Sequence, residues 1–235
     1  MPREAKEKKT SEKVEEYLEA IYIMSKEGGP VIGARLAERL GVTPPTVTGM
    51  LQRLSLAGLI TSNDRKEILL TAKGLETAEA TVRRHRLSER LLTDLLGLEW
   101  HKAHDEACRF EHAISPEVEE KLIAALGSPT TCPHGNPIPG APVASESQNT
   151  VPLSEVPAGT EVIVDRISED AETDSNLMRY LQISGILPGA RLRVESVAPW
   201  GETINLHNGE RAIPLGLSWA AKIQVRAEDT ALATE

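Results

Sequence analysis

The sequence predicts a mainly α-helical chain with a small β domain, and three observations predict it. The first seventy residues run helix, turn, helix and short hairpin; residues 72–127 add three stretches with apolar side chains at helical spacing; from about residue 152 short strands alternate with turns. The first order of elements is that of a winged helix-turn-helix. The last is that of a small barrel.

Element by element, residues 11–27 read as a helix because Val14, Leu18, Ile21 and Tyr22 recur three and four apart, and Gly28, Gly29 and Pro30 end it. IGARLAERLGVTPPTVTGMLQRLSLAGLI reads as a helix, a turn at Gly41 and Val42, and a second helix with Pro44 and Pro45 in its first turn, where proline is tolerated. LITSNDRKEILLT is a hairpin, its two apolar runs flanking the turn-forming SNDRK. Residues 72–97 read as one long helix, 99–113 as another and PEVEEKLIAALG as a third. SPTTCPHGNPIPGAPVASESQNTVP is dense in Pro, Gly and Ser and reads as an ordered loop running into a linker. TEVIVDRI, RLRVESVA, GETINLHNGERAI and AKIQVRA are the strands, interrupted by a helix near NLMRYLQISG. The expected domains are 1–76 for the winged helix, 77–145 for the helical part, 146–157 for a linker and 158–228 for the barrel.

At 235 residues, 40% of them hydrophobic and 26% charged, the chain can bury ordinary globular cores in one to three domains. The net charge of −9 is uneven: residues 1–78 hold 12 basic against 11 acidic side chains, 79–127 hold 7 against 10, and 128–235 hold 7 against 14. Affinity for a polyanion therefore belongs to the first third. The absence of an apolar run near the roughly 18 residues of a membrane span, and a Lys/Glu-rich start without a signal-peptide core, point to a cytoplasmic protein. Two cysteines, Cys108 and Cys132, make no disulfide framework.

HDEACRFEH, residues 104–112, concentrates the chemistry. On a helix His104, Cys108, Glu111 and His112 fall at i, i+4, i+7 and i+8 and share one face, and His85 with Glu89 makes a second i, i+4 pair. Imidazole, thiolate and carboxylate are what a divalent cation needs, and i, i+4 pairs bring them together. Between His104 and His112 a helix rises about 12 Å, too far for one ion to touch both, so two sites are expected. A solvated charged face is the plainer alternative, but four of the six histidines fall within residues 85–112. His101 is out of register. Cys132 and His134 supply only two donors in a loop and are not counted as a further site.

RRHRLSERLLTDLLGLEWHKAHDEACRFEHAIS followed by GNPIPG resembles the diphtheria-toxin-repressor family of metal-dependent transcriptional regulators, which has iron-responsive and manganese-responsive branches. The resemblance covers nearly the whole chain. It implies a winged helix, a helical dimerisation and metal-binding domain and an SH3-like (FeoA-like) barrel. It also implies one site from His85, Glu89 and His104, completed by Glu169 and Glu172 of the SH3-like domain, and a second from Cys108, Glu111, His112 and Glu16. The chain departs from both branches. Glu16 stands where the iron branch has methionine and the manganese branch aspartate; Cys108 matches the iron branch; Glu172 stands where the iron branch usually has glutamine. A hard carboxylate at 16, with Glu19 at a further acidic ligand position, favours Mn2+ over Fe2+, with two ions per subunit.

A recognition helix needs small polar side chains at its start. TPPTVTGMLQR supplies Thr43, Thr46 and Thr48, with Pro45 as an apolar contact for thymine methyls; Arg35, Arg53, Arg65 and Lys66 suit phosphates. Thr43 is also expected to cap the helix. The expected partner is a palindromic double-stranded DNA operator read by a homodimer. Leu87, Leu91, Leu92, Leu95 and Leu96 form either the dimer seam or core. The expected function is a repressor that senses Mn2+ or Fe2+ as corepressor and controls metal-uptake genes. A metal buffer or transport accessory is the rival. An enzyme is disfavoured, since H-E-x-x-H, a nucleophile elbow and a phosphate loop are all missing.

Overall fold

The computed structural model describes residues 11–142 and 149–227. The chain forms two compact units, Met1–Arg84 and His85–Glu235, with the division falling inside one helix.

In the first unit α1 (Glu12–Glu27), α2 (Gly33–Arg39) and α3 (Pro44–Leu56) are followed by β1 (Ile60–Ser62), β2 (Ile68–Leu70) and the start of α4 (Ala72–Arg90). The apolar spacing read along α1 places Leu18, Ile21 and Tyr22 in one buried cluster with Leu36, Val47, Leu54, Ile60, Ile68 and Val82. Each such side chain contributes about 1.5–3 kcal/mol on full burial. β1 and β2 pair antiparallel with Ile60 opposite Leu70. Their turn is built by Asn63, whose Oδ1 accepts from the backbone N–H groups of Arg65 and Glu67, both at 3.0 Å, and by Lys66 in the left-handed region. Gly74 lets α4 press on the base of this wing: a Cβ there would lie 1.9 Å from the Leu59 carbonyl oxygen.

Two expected helices differ in the structure. The stretch 72–97 is α-helical only to Arg90, after which Leu91–Leu95 widen into a single π turn and Gly97 closes it with positive φ. Thr93 sits at the widening, and its hydroxyl donates to the Glu89 carbonyl at 2.9 Å, competing with the backbone ladder. The stretch 99–113 breaks into a 3-10 turn (Trp100–Lys102), α5 (Ala103–Phe110) and another 3-10 turn (Glu111–Ala113). The α-helical hydrogen bonding therefore ends at Phe110, just before Glu111 and His112. α6 (Pro116–Ala125) is capped by the Ser115 hydroxyl, which accepts from the Val118 N–H.

The β domain is one antiparallel sheet ordered β3-β8-β4-β5-β6-β7, formed by β3 (Val151–Pro152), β4 (Glu161–Ile167), β5 (Arg191–Ala198), β6 (Thr203–His207), β7 (Ala212–Gly216) and β8 (Ile223–Ala227). Its core includes Val162, Val164, Leu192, Val194, Ile204 and Leu206, packed with Met178 and Leu181 of α8 (Ser175–Ser184). α7 (Glu169–Glu172) follows β4, and α9 (Leu217–Ala220) precedes β8. The linker expected at 146–157 lies outside the described residues up to 148. Beyond that, Val151 already pairs with Val225, and Leu153 and Val156 are buried in the sheet's core. The proline at 152 concealed an edge strand, a position where proline is tolerated. Of the leucines read as seam or core, Leu87 is fully buried, whereas Leu95 and Leu96 are 55% and 67% exposed.

Candidate metal centre

Four segments of the second unit converge on one buried polar cluster. α4 presents His85 and Glu89 one turn apart, and α5 presents His104 and Cys108. The loop 131–137 presents Cys132, His134 and Asn136; it is closed by the Cys132 N–H donating to the Asn136 carbonyl and by a bridge from Thr131 to Pro137. That loop lies on β4 at Gly135, where a Cβ would stand 2.3 Å from the Asp165 carbonyl oxygen and φ is +93°. α7 presents Glu169 and Glu172.

Around Glu89 the distances are short. Its Oε1 lies 3.2 Å from His85 Nε2, 3.1 Å from His134 Nδ1 and 3.7 Å from His104 Nδ1. Glu172 Oε2 lies 3.1 Å from His104 Nδ1 and 3.4 Å from His134 Nδ1, and its Oε1 accepts from Asn136 Nδ2 at 2.8 Å. His85 Nε2 and His104 Nδ1 are 3.2 Å apart. The other nitrogens are engaged away from this centre: His85 Nδ1 with Glu111 Oε2 at 2.6 Å, and His134 Nε2 with the Trp100 carbonyl at 3.2 Å. A carbonyl only accepts, so His134 Nε2 carries the proton and Nδ1 faces the carboxylates.

Charge is balanced within the cluster. Burial by itself lowers the pKa of His85, but the charge of Glu89 and hydrogen bonds with Cys108 and Glu111 outweigh it and hold the imidazole well above its ordinary range. His104 and His134 are raised in the same way against burial, His104 by Cys108, Glu172 and Glu89, and His134 by Glu172 and Glu89. Burial pushes Glu89 and Glu172 up, yet the neighbouring imidazoles bring both below the usual carboxylate value. Burial drives the Cys132 thiol up to about 11. At Cys108 burial also opposes ionisation, but His104 and His85 bring the thiol down to about 7.

Two four-residue sets in this cluster have donor atoms within 4.8 Å of one another: His85, Glu89, His104 and Glu172, and Glu89, Cys132, His134 and Glu172. Opposite ligands of one ion stand about 4.2 Å apart at bond lengths of about 2.1 Å, so each set needs only a small contraction to close on a cation. Glu89 Oε2 and Glu169 Oε2 are buried without a hydrogen bond, and Glu172 Oε2 meets only imidazole nitrogens. Buried carboxylate oxygens left so are costly unless a proton donor or cation meets them. The residues therefore fit a divalent cation.

Of the expected first-site residues, His85, Glu89, His104 and Glu172 are brought together. Glu169 is not in that set: its Oε1 accepts from Arg86 Nε at 2.9 Å and from Nη2, while Arg86 Nη1 donates to the Pro137 carbonyl. Arg86 lies one position past His85, on a different face of α4, and draws Glu169 towards itself. At the expected second site Cys108 groups with His85 and His104, Glu111 turns to His85, and His112 Nε2 lies 3.2 Å from Glu111 Oε1. Glu111 and His112 lie in the 3-10 turn that follows the α-helical turn of Cys108. Glu16 is exposed on α1, in the first unit. His101 bonds Gln182 Oε1 at 2.7 Å. The sequence reading set aside Cys132 and His134, which are buried beside Glu89. Their loop has no periodicity, and the letters CPHG ahead of NPIPG were the only signal.

In the first unit Thr43, Pro45, Thr46, Thr48 and Arg53 are exposed on or at the start of α3, Arg35 on α2, and Arg65 and Lys66 on the wing. Thr43 holds the N-cap position without capping a backbone N–H. Its hydroxyl pairs with that of Thr46 at 2.9 Å, and the Thr48 hydroxyl donates to the Pro44 carbonyl.

Residues 9–68 match the DNA-binding domain, and residues 71–140 the metal-binding and dimerisation domain, of iron-dependent repressors; residues 151–227 match the FeoA domain. The chain is 39% identical over 220 residues to the iron-dependent repressor IdeR of Mycobacterium tuberculosis (strain H37Rv), covering 89% of this chain and 96% of that protein. It is 38% identical over 202 residues to the diphtheria toxin repressor of Corynebacterium efficiens, covering 83% and 87%. Among solved structures, a manganese-dependent transcriptional repressor in complex with manganese is similar with a TM-score of 0.81 at 32% identity, covering 92% of this chain and all of that one.

Proposed function

The chain belongs to the iron-dependent repressor family of metal-dependent, DNA-binding transcriptional repressors that dimerise, and from that premise we propose that it is a cytoplasmic homodimer that binds a palindromic operator when loaded with Mn2+, or else Fe2+, and represses metal-uptake genes. The single observation that carries this reading is the buried cluster of imidazoles and carboxylates, in which Glu89 Oε2 has no hydrogen-bond donor. Mn2+ is preferred over Fe2+ because glutamates occupy positions 16 and 172, where the iron branch has softer or neutral ligands. His85, Glu89, His104 and Glu172 are the proposed ligands of one ion. Cys108, Glu111 and His112 are those of a second, to which the resemblance adds Glu16. Glu169 is proposed as a positioning partner of Arg86.

When bound, a divalent cation would supply positive charge to the carboxylates and imidazoles that α4, α5 and α7 present. The chain's own groups prepare these donors. Glu111 fixes the His85 tautomer so that Nε2 faces inward, the Trp100 carbonyl does the same for His134 Nδ1, and Asn136 orients Glu172. The exposed threonines of α3 are the proposed base-contacting groups, and Arg35, Arg53 and Lys66 the phosphate contacts. Moving a two-state protein from 1:99 to 99:1 in favour of its DNA-binding form requires about 5.5 kcal/mol of differential affinity.

The test is to titrate metal-stripped protein with Mn2+, and anaerobically with Fe2+, while following binding to DNA from upstream of its own gene and of metal-uptake genes. Binding switched on by micromolar levels of one ion identifies the corepressor. DNA binding indifferent to both ions removes the sensing reading.

A further inference from the structure

The two four-donor sets of the interior are not alternatives placed apart. Both contain Glu89 and Glu172. Each carboxylate touches an imidazole from either set: Glu89 Oε1 reaches His85 and His134, and Glu172 Oε2 reaches His104 and His134. His85 Nε2 and His104 Nδ1, 3.2 Å apart, match neighbouring ligands of one ion, which stand about 3.0 Å apart at bond lengths of about 2.1 Å.

The second set also has a cation's donors in place. His134 Nε2 donates to the Trp100 carbonyl, so Nδ1 is the nitrogen turned to the carboxylates of Glu89 and Glu172 and the one a cation would displace a proton from. The Cys132 sulfur lies in the same set. Nitrogen, carboxylate oxygen and sulfur thus converge in one buried space, where a cation can take the place of the imidazolium proton. Glu89 still has Oε2 buried and without a partner after Oε1 has met the imidazoles. A carboxylate with one oxygen facing imidazoles and the other unmet suits a bridge between two ions. Glu172 has Oε1 held by Asn136 and can bridge through Oε2 alone.

We propose that the interior binds a pair of divalent cations bridged by Glu89 and Glu172, one seated on His85 and His104 and the other on Cys132 and His134. Bridged pairs of this kind stand about 3.5–4 Å apart. The two seats differ in softness: the first offers only nitrogen and oxygen, while the second adds sulfur and favours a more thiophilic ion. This goes beyond the single interior ion of the proposed function and rests on that reading only in assigning metal to this cluster.

The experiment is Mn2+ equilibrium dialysis and electron paramagnetic resonance on the full-length chain carrying His112→Ala, which removes the separate site proposed at Cys108, Glu111 and His112. The expected result is two ions per chain with the exchange-split lines of a coupled pair. Adding His134→Ala is expected to leave one ion with the plain hyperfine pattern of an isolated Mn2+. One ion per chain before His134 is changed, or two ions without coupling, overturns the bridged pair. Co2+ loading of the Cys108→Ser chain gives a second readout that leaves the interior intact. Sulfur-to-cobalt charge-transfer absorption can then come only from Cys132, and its absence at saturating Co2+ also overturns the proposal. These counts involve no DNA, so a coupled pair with metal-indifferent DNA binding would refute the sensing reading and leave the pair standing.

Discussion

The winged helix of the first unit and the polar interior of the second solve opposite problems. The winged helix gathers Leu18, Ile21, Leu36, Val47 and Leu54 into a buried core and holds its proposed working residues, Thr43, Pro45, Thr46, Thr48 and Lys66, in solvent. The second unit buries its working residues, with His85, Glu89, His134 and Glu172 each at most 3% exposed. A surface group can be changed with little effect on the fold, whereas a buried ionic group is coupled to every partner that compensates it. Function and stability are therefore separable in the first region and joined in the second.

The sharpest way to break that contrast is Arg86→Met, which leaves Glu169 buried and unpaired. We expect a loss of about 3–5 kcal/mol in denaturant unfolding of the metal-free chain, the usual cost of removing one partner of a buried pair; a change under about 1 kcal/mol would mean that the interior tolerates loose charge. Asn136→Ala should come next, lowering Mn2+ affinity about 10–100-fold, because it frees Glu172 from the donor that orients it. Isothermal titration measures this directly.

Acidity sharpens the contrast further. His85, His104 and His134 are raised above 6.5 in the folded chain, so their contribution to metal-free stability is full below about pH 6.5 and is lost as pH rises through the raised folded values. Glu89 and Glu172, lowered from 4.5, contribute above that value and lose their contribution as pH falls through the lowered ones. Metal needs the imidazoles without their extra protons. The rise in Tm produced by Mn2+ should therefore grow as pH rises above about 6.5, with the metal-free Tm falling as pH passes through the raised imidazole values. A Mn2+ effect that shrinks with pH would contradict the imidazole assignment.

The first region should respond less. Thr46→Ala is expected to move stability by no more than about 0.5 kcal/mol, with a loss of about 1–3 kcal/mol of operator discrimination if the hydroxyl meets a base edge, read by comparing operator and mutated DNA. The smallest effect belongs to Lys66→Ala, which should weaken binding to all sequences alike and reduce the salt slope by about 1.

Much of the architecture was legible because it is local. The 3- and 4-residue spacing of Val14, Leu18, Ile21 and Tyr22 specifies α1, and the apolar runs around SNDRK specify the hairpin, without reference to the rest of the chain. The i, i+4 pair His85 and Glu89 was legible for the same reason. Where helical spacing was extended too far, at residues 91–97 and 111–113, the error came from side-chain hydrogen bonds and turns that periodicity does not encode.

By itself, then, the sequence determined the helices, the wing, the short strands and the concentration of imidazole and carboxylate between residues 85 and 112, since each depends on neighbours within a few residues. Only the tertiary structure decided that His134 and Cys132 join that cluster, that of the two glutamates the resemblance implied Glu172 enters it while Glu169 turns to Arg86, and that Val151 opens the sheet. Those choices depend on contacts between residues some 30 to 80 positions apart, such as Asn136 with Glu172 and Arg86 with Glu169. Charge compensation in a buried space made them, and no local pattern carries that information.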